Sequence, residues 1–205
     1  MEQEIDKKFA EAMKHFNAKR YREALPIFKE LAEQGHAESQ NNFGTCFMNG
    51  LGVPENRDEA FKWIGKAANQ GLLIAQINMA ECASYSYKAA WYRMAAEQGH
   101  AESQYELGLS YYRGYYGVQP DGREAFKWLM KAAEQGHSQA QYLIIKAYED
   151  KAEFSIADEY KSKFDAINKS LGINNEPAST SSDKKGCLGV LILFIIFAGV
   201  AAVTL

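Results

Sequence analysis

Apolar and small side chains recur at helical spacing through most of the chain. Four segments of this kind each end in an alanine-rich stretch and a glycine, and they read REALPIFKELAEQG, DEAFKWIGKAANQG, YKAAWYRMAAEQG and REAFKWLMKAAEQG. The glycines lie at spacings of 36, 28 and 37 residues and are Gly35, Gly71, Gly99 and Gly136. A recurring spacing of this size is typical of proteins built from stacked helical repeats.

One short sequence connects these segments to the helices that follow them. AEQGHAESQ occupies residues 32–40 and recurs unchanged at 96–104, and the near-copy AEQGHSQAQ occupies 133–141. Glycine tolerates the left-handed conformation that ends many helices, so we expect AEQG to close one helix and HAESQ to open the next. His36, His100 and His137 lie at least one two-helix repeat apart, which favours a role in the fold over a shared metal.

The helix after each glycine has positions that are nearly constant among the copies. Counted from the residue after the glycine, position 5 is always glutamine and position 8 is large and apolar, while position 9 is small in three copies. Large and small residues at helical spacing predict that neighbouring helices interlock at short distance. The tryptophans each stand eight residues before a glycine, which assigns them to packing: Trp63, Trp91 and Trp128.

A turn rich in glycine and proline separates the two helices of a full repeat. It reads NGLGVPEN from Asn49 and RGYYGVQPD from Arg113. The middle repeat lacks this turn and passes directly from Cys82 to Tyr87. We therefore expect the stack of helices to be irregular at the middle repeat.

These motifs resemble the Sel1-like repeat family, which is related to the tetratricopeptide repeats. The resemblance is carried by HAESQYELGLSYYRGYYGV and AFKWLMKAAEQGH and covers about Ala32 to Tyr148. It implies an all-α fold, a right-handed α-solenoid of helix pairs, and an interaction scaffold without catalytic residues, so we expect no enzyme. The short middle repeat, Leu72 in place of histidine and Gly65 inside a helix depart from the family pattern.

The pattern divides the chain into three parts. Residues 1–171 are predicted to form the solenoid, with an N-terminal helix pair at 4–35, repeats at about 36–71, 72–99 and 100–136, and capping helices at 137–171. Residues 172–186, GINNEPASTSSDKKG, are polar and predict a flexible linker. Residues 187–205 are predicted to form one transmembrane helix.

The membrane prediction rests on the apolar run CLGVLILFIIFAGVAAVTL, which carries no charge and no proline. As a helix it covers about 28 Å, close to the ~30 Å hydrocarbon core of a bilayer. A buried globular helix is the competing interpretation, but such helices are usually amphipathic. Lys184 and Lys185 precede the run and the N-terminus has no signal peptide pattern, which predicts a tail-anchored, single-pass protein with its repeat domain in the cytoplasm.

Net charge and cysteine spacing argue against several kinds of binding site. The formal net charge of −3 argues against nucleic-acid binding. The cysteines form no CxxC pair, so neither a disulfide framework nor a zinc site is predicted: Cys46, Cys82 and Cys187. We expect no cofactor, no metal and no small-molecule substrate.

The positions that differ between copies are the candidate binding residues. Positions 3, 7, 10 and 14 of the helix after each glycine fall on one face, and we expect them to be free of packing demands. The predicted contacts to a protein or peptide partner are Asn42, Asn49, Asn78, Glu81, Tyr85, Glu106, Leu109 and Arg113. An ordinary solvated face is the alternative. Tyr85 and Arg113 are preferred because tyrosine and arginine are enriched in interface hot spots.

Tyrosines offer a second candidate surface, since a tyrosine-rich groove could hold a peptide; they include Tyr105, Tyr111, Tyr112, Tyr115 and Tyr116. Taken together, the sequence favours a membrane-tethered adaptor for protein–protein interactions. The alternatives are an accessory subunit of a membrane enzyme complex and, with less support, a hydrolase of the Sel1-like β-lactamase type.

Overall fold

The computed structural model of the protein describes residues 2–149 and the single positions 166 and 169. The predicted linker and membrane helix, and most of the predicted C-terminal cap, lie outside these residues. Within residues 2–149 the chain is all-helical. Its α-helices are α1 (Glu2–Asn17), α2 (Tyr21–Glu33), α3 (Ala37–Asn49), α4 (Arg57–Asn69), α5 (Leu73–Cys82), α6 (Lys88–Glu97), α7 (Ala101–Arg113), α8 (Gly122–Glu134) and α9 (Ser138–Glu149).

A short 3-10 helix, Tyr85–Tyr87, leads directly into α6. Each α-helix packs against the next one along the chain, which is the arrangement expected of stacked helix pairs. No helix within residues 2–149 is long and apolar enough to cross a membrane. The all-α class is thereby confirmed for the described part of the chain.

The joints between helices form as the sequence predicts. Gly99 adopts a left-handed φ of +92°, and Gly35, Gly71 and Gly136 do the same at their joints. His100 then caps α7, because its Nδ1 accepts a hydrogen bond of 3.3 Å from the backbone N–H of Ser103. His36 and His137 cap α3 and α9 in the same way. Leu72 stands at the equivalent position, and its side chain cannot accept a hydrogen bond. Helix α5 therefore begins without a side-chain cap.

Conserved small positions let paired helices approach closely. A Cβ atom added at Gly108 would lie 2.8 Å from Cγ and 3.0 Å from the backbone nitrogen of Leu129. A Cβ atom added at Gly44 would likewise lie 2.6 Å from Cγ1 of Ile64 in α4. The predicted interlocking of helices therefore brings α3 against α4 and α7 against α8. Trp63 and Trp128 are buried beside these contacts, as expected of packing residues.

The recurring glutamines connect successive helices by a chain of hydrogen bonds. Gln104 donates through Nε2 to the carbonyl oxygen of Ala96 at 3.1 Å. Its Oε1 accepts a bond of 2.7 Å from Gln135, which stands at the end of α8. Gln40 and Gln76 repeat the arrangement in the earlier copies. A buried amide at this position thus ties three consecutive helices together, which explains why the residue recurs in every copy.

Candidate functional site

Two of the predicted contact residues take part in packing. The side-chain amide of Asn78 in α5 donates to Oδ1 of Asn41 in α3 at 2.8 Å. Asn42 in α3 donates to Sδ of Met13 in α1 at 3.5 Å, and both asparagines are half-buried. The expectation that these positions are free of packing demands is therefore wrong, because both side chains contact the equivalent helix of the preceding repeat.

Three of the remaining predicted residues leave more surface to solvent. Asn49, Glu81 and Arg113 are exposed, whereas Leu109 and Glu106 are half-buried. The side chain of Asn49 donates to the carbonyl oxygen of Thr45 within its own helix. Asn49 is the last residue of α3, whereas the other four lie on α5 and α7. Glu81, Glu106 and Arg113 instead lie near a group of tyrosines between α5 and α8.

Tyr85 does not belong to the helix on which its spacing placed it. Helix α5 ends at Cys82, and Ala83 and Ser84 are extended, with ψ of 153° and 151°. Tyr85 then begins the 3-10 helix, where its side chain is 57% exposed. The prediction of a helix-face position for Tyr85 was wrong because the middle repeat must reach α6 without the usual glycine turn, so its first helix is shortened.

The tyrosine cluster consists of Tyr85, Tyr92, Tyr115 and Tyr116. The ring centroids of Tyr85 and Tyr116 are 5.1 Å apart in an edge-to-face arrangement, and those of Tyr92 and Tyr116 are 5.8 Å apart. Tyr115 follows at 6.2 Å from Tyr116. The cluster therefore joins the 3-10 helix, α6 and the turn after α7 into one aromatic surface.

The backbone of the turn after α7 holds Tyr116 in the cluster. Tyr116 has a left-handed φ of +57°, which is uncommon for a bulky residue. The next residue, Gly117, lies against the 3-10 helix so closely that a Cβ atom there would be 2.7 Å from the carbonyl oxygen of Ser86. The turn that carries Tyr116, residues 114–121 between α7 and α8, is one residue longer than the turn between α3 and α4, residues 50–56.

Charged side chains surround the cluster. Nζ of Lys88 donates to the carbonyl oxygen of Glu81 at 3.1 Å and lies 5.7 Å from the ring centroid of Tyr116. The guanidinium of Arg113 lies 5.7 Å from the ring centroid of Tyr115. Both cations therefore already have partners within the protein.

The carboxyl group of Glu106 has a different environment. Burial raises its pKa, and the neighbouring charge of Glu102 raises it further. Burial, followed by the charge of Glu106, raises the pKa of Tyr92 to about 12. Among the described residues the Glu106 carboxylate forms neither a hydrogen bond nor an ion pair. Glu102, in contrast, accepts a bond of 2.9 Å from Nε2 of His137.

Tyr92 and Lys88 were missed by the sequence analysis. Tyr92 follows Trp91, and the equivalent residues in the other copies are buried apolar core residues: Phe28, Ile64 and Leu129. A phenol in place of a core side chain was the available signal. Within the described residues no three histidine, cysteine, aspartate or glutamate side chains are grouped as a metal site requires.

Comparison with known sequences identifies the repeats. The profile of the Sel1 repeat matches residues 37–72, 89–100 and 101–137. Over these residues the chain is similar to the Sel1 repeat family. The first part of the middle repeat lies outside these matches, in agreement with its missing turn. Sel1 repeats generally mediate protein–protein interactions.

Proteins of known structure are similar to this chain. A Sel1 repeat protein from Oxalobacter formigenes is 28% identical, with a TM-score of 0.61 over 68% of this chain and 43% of the other. A protective antigen of uropathogenic Escherichia coli with an SLR fold is also 28% identical, with a TM-score of 0.68 over 82% of this chain and 38% of the other. These likenesses confirm an α-solenoid of Sel1 repeats.

A curated sequence relative is a sel1-like repeat-containing protein of Acanthamoeba polyphaga mimivirus. It is 31% identical over 90 residues, which are 42% of this chain and 17% of that protein. This chain thus spans less than half the length of these relatives, both the curated sequence and the two solved structures.

Proposed function

We propose that this Sel1-repeat protein is a membrane-tethered adaptor that binds another protein through the tyrosine cluster and its charged neighbours. The observation that carries the proposal is the exposed aromatic surface around Tyr85, on a fold that generally serves protein–protein interaction. Adjacent exposed aromatic rings on a soluble domain are typical of binding sites. Of the contacts predicted from the sequence, Glu81, Tyr85, Glu106, Leu109 and Arg113 belong to this proposal.

The tether rests on the sequence of residues 187–205, which has the length and hydropathy of a single membrane span. A protein confined to a membrane surface raises the effective concentration of its bound partner for other proteins there. We propose that the repeat domain faces the cytoplasm, with Lys184 and Lys185 on that side of the span.

In-cell crosslinking and mass spectrometry of the full-length protein tests the adaptor role. The test variant carries Tyr85→Ala, Glu106→Lys and Arg113→Glu. A matched control carries the same kinds of change at exposed positions away from the cluster: Tyr142→Ala, Glu97→Lys and Arg123→Glu. A discrete set of proteins should be captured by the original protein and by the control, and lost from the test variant. Capture of the same proteins by all three would reject this surface.

An accessory subunit of a membrane enzyme complex is the second candidate, and the apolar run is the feature that favours it. Replacing residues 187–205 with an unrelated apolar helix separates the two functions. A tether should keep its captured partners after the exchange. An accessory subunit that acts through its membrane helix should lose them while the solenoid stays folded.

A further inference from the structure

The tyrosine cluster presents aromatic surface that the protein itself leaves uncovered. Tyr85 is 57% exposed and Tyr115 is 39% exposed, although both pack against Tyr116. Tyr116 is held in a left-handed conformation by a turn that has one residue more than its counterpart. The unfavourable backbone conformation of Tyr116 thus completes an exposed aromatic surface, which indicates a binding role.

The charges next to the cluster define what would complement it. Lys88 and Arg113 already lie on tyrosine rings. Two carboxylates near the cluster, those of Glu81 and Glu106, have no hydrogen-bond or ion-pair partner among the described residues. Glu106 is also half-buried, and a nearby cation stabilises the ionised form of a carboxylate in that position. The charges of Lys88 and Arg113 reach Glu106 without an ion pair, so its carboxylate still lacks a direct cationic partner.

We propose that the tyrosine cluster and Glu106 bind a segment of a partner protein that carries lysine or arginine. The cation lies against the exposed tyrosine rings, where cation–π attraction is favourable, and its N–H groups donate to the Glu106 carboxylate. This proposal rests on the adaptor function and specifies the chemistry of its partner.

Fluorescence anisotropy with the full-length protein in detergent tests this proposal. The probe is a labelled peptide that repeats Gly-Lys-Ala-Arg, compared with peptides that repeat Gly-Gln-Ala-Asn and Gly-Glu-Ala-Asp. The test variants are Glu106→Gln and Tyr85→Ala. Their matched controls are Glu97→Gln, an exposed glutamate at the end of α6, and Tyr87→Ala, a tyrosine in the same 3-10 helix that is 66% exposed.

The basic peptide should bind more tightly than the neutral and acidic ones. Glu106→Gln should weaken it about tenfold and Tyr85→Ala about three- to tenfold, since each removes one interaction with the cation. Both controls should keep the affinity for the basic peptide within about twofold of the original. Glu97→Gln changes the net charge by the same amount as Glu106→Gln, so it controls for net charge. Equal binding of the three peptides, or equal losses in test and control variants, would overturn the proposal.

Two further results separate this proposal from its basis. Cluster-dependent capture in cells without preference for the basic peptide would reject the charge assignment and leave the adaptor function standing. Preference for the basic peptide without any captured protein would reject the adaptor function.

The basic residues of the chain's own linker are the competing occupant. Tighter binding of the basic peptide by the Lys184→Gln, Lys185→Gln variant would show that the linker occupies the surface and overturn the assignment to a partner.

Discussion

At the scale of single residues, Glu106 illustrates a conflict between stability and binding. Burial, reinforced by Glu102, raises its pKa above the ordinary value of 4.5, so the folded protein binds this proton more tightly than the unfolded chain does. Stability therefore falls as the pH rises from the unfolded pKa through the folded one. The destabilisation is complete above the folded pKa.

Glu106→Gln should consequently make the protein more stable at neutral pH, and the gain should vanish well below pH 4, where the unfolded carboxyl is also protonated. Urea unfolding followed by circular dichroism between pH 3 and 8 measures this. Glu97→Gln serves as the control and should show no such gain. If Glu106→Gln is less stable than the original at neutral pH, the carboxylate has a favourable partner in the folded state.

Two glycines inside helices should respond oppositely to alanine. Gly108 leaves no room for a methyl group beside Leu129, so Gly108→Ala should cost about 1–2 kcal/mol even after the gain in helix propensity. Gly65 has only Cε of Met79 at 4.0 Å from an added Cβ, so Gly65→Ala should add up to about 1 kcal/mol. Urea denaturation of the two variants checks both signs. A stabilising Gly108→Ala would show that α7 and α8 are less tightly packed than the structure indicates.

At the scale of helices, the glutamine hydrogen bonds make a prediction about the joints. Gln104→Ala removes a buried hydrogen bond to the Ala96 carbonyl and the acceptor of a part-buried hydrogen bond from Gln135. We expect a loss of about 2 kcal/mol, since each buried bond contributes about 0.5–1.5 kcal/mol and the Ala96 carbonyl is left without its partner.

The exposed Gln139 of α9 provides the control, and Gln139→Ala should change the free energy of unfolding by less than about 0.5 kcal/mol. Thermal and urea unfolding of both variants measure the difference. Similar small effects in the two would mean that water replaces the Gln104 side chain at the joint, and that its recurrence has another cause.

The helix scale also explains how far the sequence could predict the fold. The role of the joint glycines followed from spacing alone, because each glycine ends its own helix. The spacing predicted only a role in the fold for the histidines, and the glutamine hydrogen bonds were not predicted. The ends of α5 depend on how the chain crosses to α6, and Tyr85 was therefore assigned to the wrong element. Asn42 and Asn78 contact the helix two positions away, and no pattern within one helix reveals such a contact. Tyr92 was missed because the equivalent position in the other copies holds a buried core residue.

At the scale of the whole described unit, stability should be uneven. In a stack where each helix contacts its neighbours, local stability follows the burial of each helix. Helix α8 buries seven side chains, from Ala125 to Ala133. Helix α5 buries only Ala75, Gln76 and Ala80, begins without a side-chain cap, and leads into a 3-10 helix with no buried residue. The middle repeat is therefore the weakest part of the stack between α3 and α8.

Native-state hydrogen exchange should show this directly. Amides of α5 and the 3-10 helix should exchange at least about tenfold faster than those in the middle of α4 and α8, which corresponds to about 1.4 kcal/mol of local stability. Uniform protection from α3 to α8 would mean that the stack opens as one unit.

The same segment carries Tyr85, so its low stability bears on recognition. If the basic peptide binds there, adding it should slow exchange in the 3-10 helix and in the turn around Tyr116, and leave α3 and α4 unchanged. Slower exchange throughout the stack would instead indicate that binding stabilises all the described helices together. If exchange slows only in this segment, the missing turn of the middle repeat accounts both for the weak point of the solenoid and for the surface that a partner stabilises.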